Sequence, residues 1–145
     1  MAKATKKAVK KTVKRAAPKK SVKSEAKYVD GFLLPVPTKN LDAYKKMSSK
    51  AGKIWREYGA LEYIESTGDD MNIEGMTGFA DYIKPAKDET IIFAFITYKS
   101  RAHRDQVNKK VMADPRLGAG DMSFEKMPFD LKKMAFGGFK VLVNE

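Results

Sequence analysis

The chain has 145 residues, of which 29 are Lys or Arg and 18 are Asp or Glu, and it contains one His and no Cys. This length is typical of one ordinary domain with at most a tail. The hydrophobic fraction of 43% is enough to form a core, which excludes a wholly disordered chain. The lack of cysteine excludes a disulfide scaffold, thiolate catalysis, zinc–cysteine sites and iron–sulfur clusters.

The positive charge is concentrated at the start of the chain. Residues 1–27 contain ten Lys and Arg15 against the single Glu25, a net charge of +10, whereas residues 28–145 have a net charge of +1. Ala, Val and Thr separate most of the basic residues and give no apolar stripe large enough to order the segment. We therefore predict a disordered Lys/Ala-rich basic tail over residues 1–27, followed by a single domain over residues 28–145.

The basic residues of the tail come mostly in pairs, and the paired positions are Lys6, Lys7, Lys10, Lys11, Lys14, Arg15, Lys19 and Lys20. In composition the tail resembles the Lys/Ala/Pro-rich tails of linker histones and bacterial histone-like proteins. Such a segment is expected to bind DNA or RNA without sequence preference and with a strong salt dependence. A solubilising extension explains the composition equally well, and an organelle-targeting peptide explains it less well.

The first two elements of the body are predicted from β-propensity and helical spacing. Residues 28–36 are rich in β-formers and are bounded by Pro35 and Pro37, which predicts a strand that ends where proline removes a backbone donor. Apolar residues then recur every three or four positions from Leu41 to Tyr58. This spacing predicts an amphipathic helix that ends at Gly59.

Four further elements complete the predicted order β-α-β-β-α-β. Residues 61–66 alternate in a polar strand expected near an edge, and residues 90–98 form a strand with two apolar faces. Ser100 is the predicted cap of a second helix. The last strand is predicted over residues 134–143, with a bulge or bend at Gly137 and Gly138.

This order predicts an α+β, ferredoxin-like fold: a four-stranded antiparallel sheet with two helices on one face. That layout leaves the second sheet face exposed, yet the strand over residues 90–98 is apolar on both sides. We therefore predict a homodimer packed through its sheets. The alternative is that the chain's own loops cover the second face, and the segment 67–89 is long enough to act as a lid or a partner-binding arm.

Several motifs resemble an uncharacterised bacterial family, domain of unknown function 1428. They are YVDGFLLPVP at 28–37, AGKIWREYGALEY at 51–63, YKSRAHRD at 98–105, VMADPRL at 111–117, MPFD at 127–130 and GGFKVLV at 137–143. The resemblance covers the body and not the tail. It implies a ferredoxin-like fold of the dimeric α/β-barrel type and no established activity.

A candidate pocket is predicted between the helices and the sheet. Related barrels include cofactor-independent monooxygenases that bind a flat aromatic substrate there, and the corresponding lining here would be Trp55, Tyr82, Tyr98, Arg101 and His103. The simpler interpretation, which we favour, is that His103 packs on an apolar helix stripe and that Arg101 and Arg104 are solvated. With a single His and scattered carboxylates, we predict no metal site and no cofactor.

The leading functional prediction is a dimeric ferredoxin-like protein whose basic tail makes non-specific nucleic-acid contacts. The alternative is a monooxygenase-like enzyme or a small-molecule-binding protein that uses the helix–sheet cleft. We find neither a secretory signal nor a membrane span, and we expect a cytoplasmic protein that the tail would bring to the nucleoid. The sequence identifies no substrate and no preference between DNA and RNA.

Overall fold

Four strands and two long helices make up the body of the protein. The structure, a computed structural model, describes residues 25–145 without the side chains of Asp121 and Phe124. The eight paired basic residues of the tail therefore lie outside the described residues. The elements are β1 (Tyr28–Pro37), α1 (Leu41–Glu57), β2 (Glu62–Thr67), α2 (Phe79–Ile83), β3 (Glu89–Tyr98), α3 (Arg101–Met112) and β4 (Ala135–Lys140).

The four strands form one antiparallel sheet in the order β2-β3-β1-β4. This α+β arrangement confirms the predicted fold class and is consistent with a ferredoxin-like or barrel type. It also confirms that β2, the more polar strand, lies at an edge. None of the helices within residues 25–145 is both long enough and apolar enough to cross a bilayer.

Helices α1 and α3 pack on the same face of the sheet, which we call the helix face. The apolar stripe predicted along α1 contributes buried Tyr44 and Ile54, and α3 contributes buried Val107 and Val111. The predicted cap of α3 is confirmed, because the backbone N–H of His103 donates to Ser100 Oγ at 3.0 Å. Gly59, the predicted stop of α1, has φ of +112°, a conformation that glycine adopts at low cost.

The predicted first strand is confirmed to within one residue, since β1 ends at Pro37. Its prolines are tolerated because β4 pairs with β1 only as far as Leu33. The prediction for the last strand is wrong in detail. β4 is shorter than predicted, and its register with β1 runs without a bulge through Gly137 and Gly138. The glycines instead allow close approach: a Cβ at Gly138 would lie 2.5 Å from Tyr28 Oη.

The opposite face of the sheet, which we call the outer face, is only partly covered by the chain itself. The segment between β2 and β3 contains α2, whose Phe79 ring stacks on the Phe93 ring with centroids 6.1 Å apart. Phe93 nevertheless remains 44% exposed, while Ile92 and Ile96 on the helix face are buried. Further exposed apolar side chains on the outer face are Ile64 of β2 and Phe139 of β4.

Candidate functional site

A cavity of about 380 Å³ lies between the helix face of the sheet, α1, α3 and the segment that precedes β4. We call it the helix-side cavity. Most of its lining is apolar, and the exposed side chains of Met112, Leu131 and Phe136 mark its mouth. The polar side chains in the lining are few, and they include Asp30 and Glu65. A largely apolar pocket with a few converging polar groups is the usual form of a small-molecule site.

Asp30 is a carboxylate in the middle of the sheet. It lies on β1, opposite Ile96 of β3 and Gly138 of β4, and only 1% of its surface is exposed. Its Oδ1 lies 3.7 Å from Arg104 Nη1 and accepts no hydrogen bond within the described part of the chain. Desolvation raises the pKa of Asp30 above its ordinary value even though the Arg104 charge acts to lower it.

Arg104 reaches Asp30 from the first turns of α3 and is held by two further contacts. Its Nη2 donates to Tyr28 Oη at 3.1 Å, and its Nε lies 3.0 Å from Asp105 Oδ1. The guanidinium carbon also lies 5.0 Å from the centre of the Tyr28 ring. The expectation that Arg104 is solvated is therefore wrong, because its side chain is 17% exposed and lies in an ion pair.

Asn108 connects two aromatic side chains beside Asp30. Its Oδ1 accepts a hydrogen bond from Trp55 Nε1 at 3.0 Å and another from Tyr98 Oη at 3.2 Å. Asn108 and Tyr98 also act to lower the pKa of Asp30, more weakly than its burial raises it. The single tryptophan of the chain is thus hydrogen-bonded to a residue that touches the buried carboxyl group.

Glu65 is the second carboxylate of the helix-side cavity, and both its oxygens are occupied. Tyr44 Oη donates to Oε2 at 2.8 Å, and Tyr63 Oη donates to Oε1 at 2.9 Å. Burial raises the pKa of Glu65, and the hydrogen bonds from the two tyrosines act in the opposite direction. Ser48, also in the lining, has a buried Oγ that makes no hydrogen bond within residues 25–145.

The structure brings together some of the predicted pocket residues and separates others. Trp55 lines the helix-side cavity. Tyr98 is not in the lining, but it donates a hydrogen bond to Asn108, which is. The His103 ring packs against the Tyr98 ring, and its Nδ1 accepts from the Lys99 N–H at 3.1 Å, so it serves as a packing residue outside the lining. Arg101 is exposed, and Tyr82 is 76% exposed on α2, away from the cavity.

Sequence analysis missed the two carboxylates of the cavity. Asp30 stands on the same alternating face of β1 as Phe32 and Leu34, and a charge in that register predicts a buried polar group. Glu65 shares its face of β2 with Tyr63 in the same way. The alternation of side chains along the two strands therefore indicated both carboxylates. The partner of Asp30, Arg104, is 74 positions further along the chain, and no local sequence pattern indicates that the two residues pair.

Within residues 25–145 no group of three or more His, Asp or Glu side chains is close enough to hold a metal ion. Asp30 has an arginine rather than a second carboxylate beside it, and Glu65 is bonded to two phenols. The chemistry that this donor set offers is hydrogen bonding and proton exchange with a molecule in the cavity.

Comparison with known proteins places the chain in a family. Residues 27–131 match the model of a family described as "Protein of unknown function (DUF1428)". The chain belongs to this family. It is 40% identical over 119 residues to "Uncharacterized protein YbaA" of Escherichia coli strain K12, a match that covers 82% of this chain and 99% of that protein. A protein of the same name from Shigella flexneri is equally similar.

Among solved structures, a crystal structure of a putative amidohydrolase/peptidase from Burkholderia cenocepacia aligns with 81% of this chain. The chain spans only 27% of that protein, and the alignment has 9% sequence identity and a TM-score of 0.29. This likeness is too low to support an argument about fold or activity. The family assignment therefore stands on the family model and the 40% identical relatives.

Proposed function

We propose that the protein binds a small, flat, largely apolar molecule in the helix-side cavity. The observation that carries this proposal is the cavity itself: about 380 Å³ of space with a largely apolar lining, the buried carboxylate of Asp30 and the half-buried carboxylate of Glu65. Trp55 supplies an aromatic wall, and exposed apolar side chains at the mouth offer a path for entry. Pockets of this size and character bury most of a small ligand's surface.

A neutral fluorescent probe, N-phenyl-1-naphthylamine, tests this proposal. We expect it to bind the full chain and to raise the melting temperature, because a molecule that binds only the folded state stabilises it. Ala51 lines the cavity, and Ala51→Phe should fill it and abolish the shift. Ala43→Phe places the same ring on the exposed side of α1 and should leave binding intact. Equal binding to both variants, or no binding to the unmodified chain, would refute the proposal.

The monooxygenase interpretation is one specific form of this proposal. As drawn from the sequence it needed His103 and an aromatic side chain around one ligand position, and His103 does not line the helix-side cavity. Trp55 does line the cavity, so the structure still supports binding of an aromatic ligand there. It gives no support to a role for His103 in that binding. The titratable side chains that line the cavity, and that an enzymatic version could use, are Asp30, Glu65, Tyr44 and Tyr63.

We further propose that two copies of the chain pair through their outer faces. Support comes from the exposed apolar side chains on three strands of that face, which are Ile64 of β2, Phe93 of β3 and Phe139 of β4. Soluble proteins rarely leave a large apolar patch uncovered, and an identical sheet is a simple complement to it. The segment containing α2 covers one part of the face only, because Phe79 itself is 53% exposed.

The basic tail is proposed to contact DNA or RNA. The support is its net charge of +10 beside a body of net charge +1, because polyanion binding without sequence preference grows with the number of cationic side chains. The test compares full chain with a chain beginning at Glu25 for retention of DNA and RNA across a salt series. Cutting at Glu25 keeps Lys27, whose N–H donates to Tyr98 O at 2.9 Å and whose oxygen accepts from Val141 N at 3.0 Å. Equal binding by the two chains would refute a role for the tail.

A further inference from the structure

Within residues 25–145, one carboxylate oxygen of Asp30 accepts no hydrogen bond. Its Oδ1 is buried, and the nearest cation, Arg104 Nη1, is 3.7 Å away, beyond hydrogen-bond distance. A buried charged acceptor without a partner costs about 1–3 kcal/mol or more, so such atoms are rare in folded proteins. Asp30 lines the helix-side cavity, and because its Oδ1 is buried, a bound molecule that supplies the missing donor would displace a neighbouring side chain to reach it.

We infer that Asp30 Oδ1 accepts a hydrogen bond from a hydroxyl or N–H group of the ligand. The cavity would then select a flat apolar molecule that has one hydrogen-bond donor over the same molecule without it. This inference rests on the proposed binding function and adds the anchor and the ligand class to it.

Arg104 does not satisfy this oxygen. Its Nη2 donates to Tyr28 Oη at 3.1 Å, and its Nε lies 3.0 Å from Asp105 Oδ1 in an ion pair without making a hydrogen bond within residues 25–145. The arginine therefore supplies charge compensation for the carboxylate, while Oδ1 accepts no hydrogen bond from the described part of the chain.

The electrostatic surroundings make Asp30 a good acceptor. Desolvation raises its pKa, and the ionisable or polar groups that face it act mainly in the other direction. Those groups are Arg104, Asp105 and Asn108 on α3 and Tyr98 on β3, with Asp105 alone adding to the increase. A carboxylate with increased proton affinity in a largely apolar cavity forms stronger hydrogen bonds to a neutral donor than an exposed one does.

The other polar groups of the cavity are weaker candidates for the anchor. Both oxygens of Glu65 already accept from Tyr44 and Tyr63. Ser48 Oγ makes no hydrogen bond with the described part of the chain, but its hydroxyl acts to lower the pKa values of Glu65 and both tyrosines and therefore lies near all three. Ser48 therefore serves as the rival anchor in the test.

The test compares 1-naphthol with 1-methoxynaphthalene, which has the same rings and no donor. Calorimetric titration of the full chain should show 1-naphthol binding at least tenfold more tightly. In Asp30→Asn, which keeps the shape and removes the charge, the preference should fall to about threefold or less, because charge-assisted hydrogen bonds are roughly twice as strong as neutral ones. Ser48→Ala should keep the tenfold preference.

Each contrary result has a distinct meaning. Equal affinities for the two compounds in the unmodified chain would overturn the inference and leave the cavity proposal standing, while no binding of either would overturn both. A preference that survives Asp30→Asn, or that disappears in Ser48→Ala alone, would also overturn it. If Asp30→Asn fails to fold, a pH series on the unmodified chain replaces it: the preference should decrease on acidification as Asp30 takes up a proton, and a constant preference would contradict the inference.

Discussion

Tyr28 Oη accepts a hydrogen bond from Arg104 Nη2 at 3.1 Å, and this contact places the guanidinium beside the buried carboxylate of Asp30. Tyr28 in turn lies against Gly138 on the neighbouring strand, where a Cβ would come within 2.5 Å of its hydroxyl oxygen. The lack of a side chain at Gly138 thus leaves space for the Tyr28 hydroxyl group, and Tyr28 in turn holds Arg104 by a hydrogen bond. The position of Arg104 beside Asp30 therefore depends on this close packing.

The charge of Asp30 should destabilise the folded protein at neutral pH. Its pKa is raised by burial above the ordinary value of 3.8, so the ionised form is less favourable in the folded state than in the unfolded state. We expect Asp30→Asn to increase the free energy of unfolding at pH 7 by about 1 kcal/mol. Arg104 keeps Asp105 as a partner in the variant, so no buried cation is left alone.

The raised pKa of Asp30 also determines how the stability gained in Asp30→Asn should depend on pH. The cost of the buried charge grows as pH rises through the ordinary range of an aspartate, and it disappears below the ordinary pKa, where both states carry the proton. The difference between Asp30→Asn and the unmodified chain should therefore shrink on acidification in urea unfolding. Asp70→Asn, at an exposed loop position, is the control and should show little difference at either pH. A destabilised Asp30→Asn at pH 7 would contradict the expected sign.

Replacing Gly138 by Ala should disturb the site through Tyr28. The new methyl group would meet the ring and hydroxyl of Tyr28, which Arg104 holds in place, and we expect a loss of about 1–3 kcal/mol in the free energy of unfolding. Gly137→Ala is the matched control: its Cβ would meet only the ring of Phe139, which is 60% exposed and can move. Equal losses in the two variants would show that Tyr28 is not constrained at this position.

The elements with strong periodicity were predictable from the sequence. The stripe along α1, the Ser100 cap and the two-sided apolar pattern of β3 are local properties of the chain, and each appears in the structure. Gly137 and Gly138 were misinterpreted as a bulge. Glycine in a strand marks either a bulge or a close approach, and only the position of Tyr28 decides between them.

The candidate site was predictable in part. Trp55 and Tyr98 were assigned to a helix–sheet pocket, and the structure brings both to Asn108. Asp30 was overlooked because the residues around it in β1 read as an apolar strand. Its pairing with Arg104 joins elements far apart in the sequence, and such pairs depend on how α3 packs on the sheet rather than on any local pattern.

Tyr44→Phe should weaken the hydrogen-bonded group formed by Glu65, Tyr44 and Tyr63 in the helix-side cavity. The change removes one of the two hydrogen bonds to Glu65, and hydrogen bonds to charged groups contribute about 1.5–3 kcal/mol. We expect a loss of this size in urea unfolding, and a double-mutant cycle with Tyr63→Phe should show that the two contributions are coupled. Tyr82→Phe makes the same change on an exposed side chain and should have almost no effect. Additive losses from Tyr44 and Tyr63 would contradict a shared acceptor.

Pairing through the outer face should depend on Phe139. Phe139→Asp would place a charge in the proposed apolar interface, on the edge strand β4, and we expect the dimer dissociation constant to rise at least about tenfold in sedimentation velocity. Met112→Asp makes a similar change at an exposed position on the helix side and should leave the association unchanged. An unmodified chain that sediments as a monomer at micromolar concentration would remove the basis for this prediction.

A crystal structure of the full chain with 1-naphthol is the most direct test of the central claim, that the helix-side cavity is a ligand site anchored by Asp30. The claim predicts the two rings inside the cavity beside Trp55, with the hydroxyl oxygen about 2.6–3.0 Å from Asp30 Oδ1. The rings bound on the outer face, a cavity closed by repacked side chains, or a hydroxyl directed to Ser48 instead would contradict it.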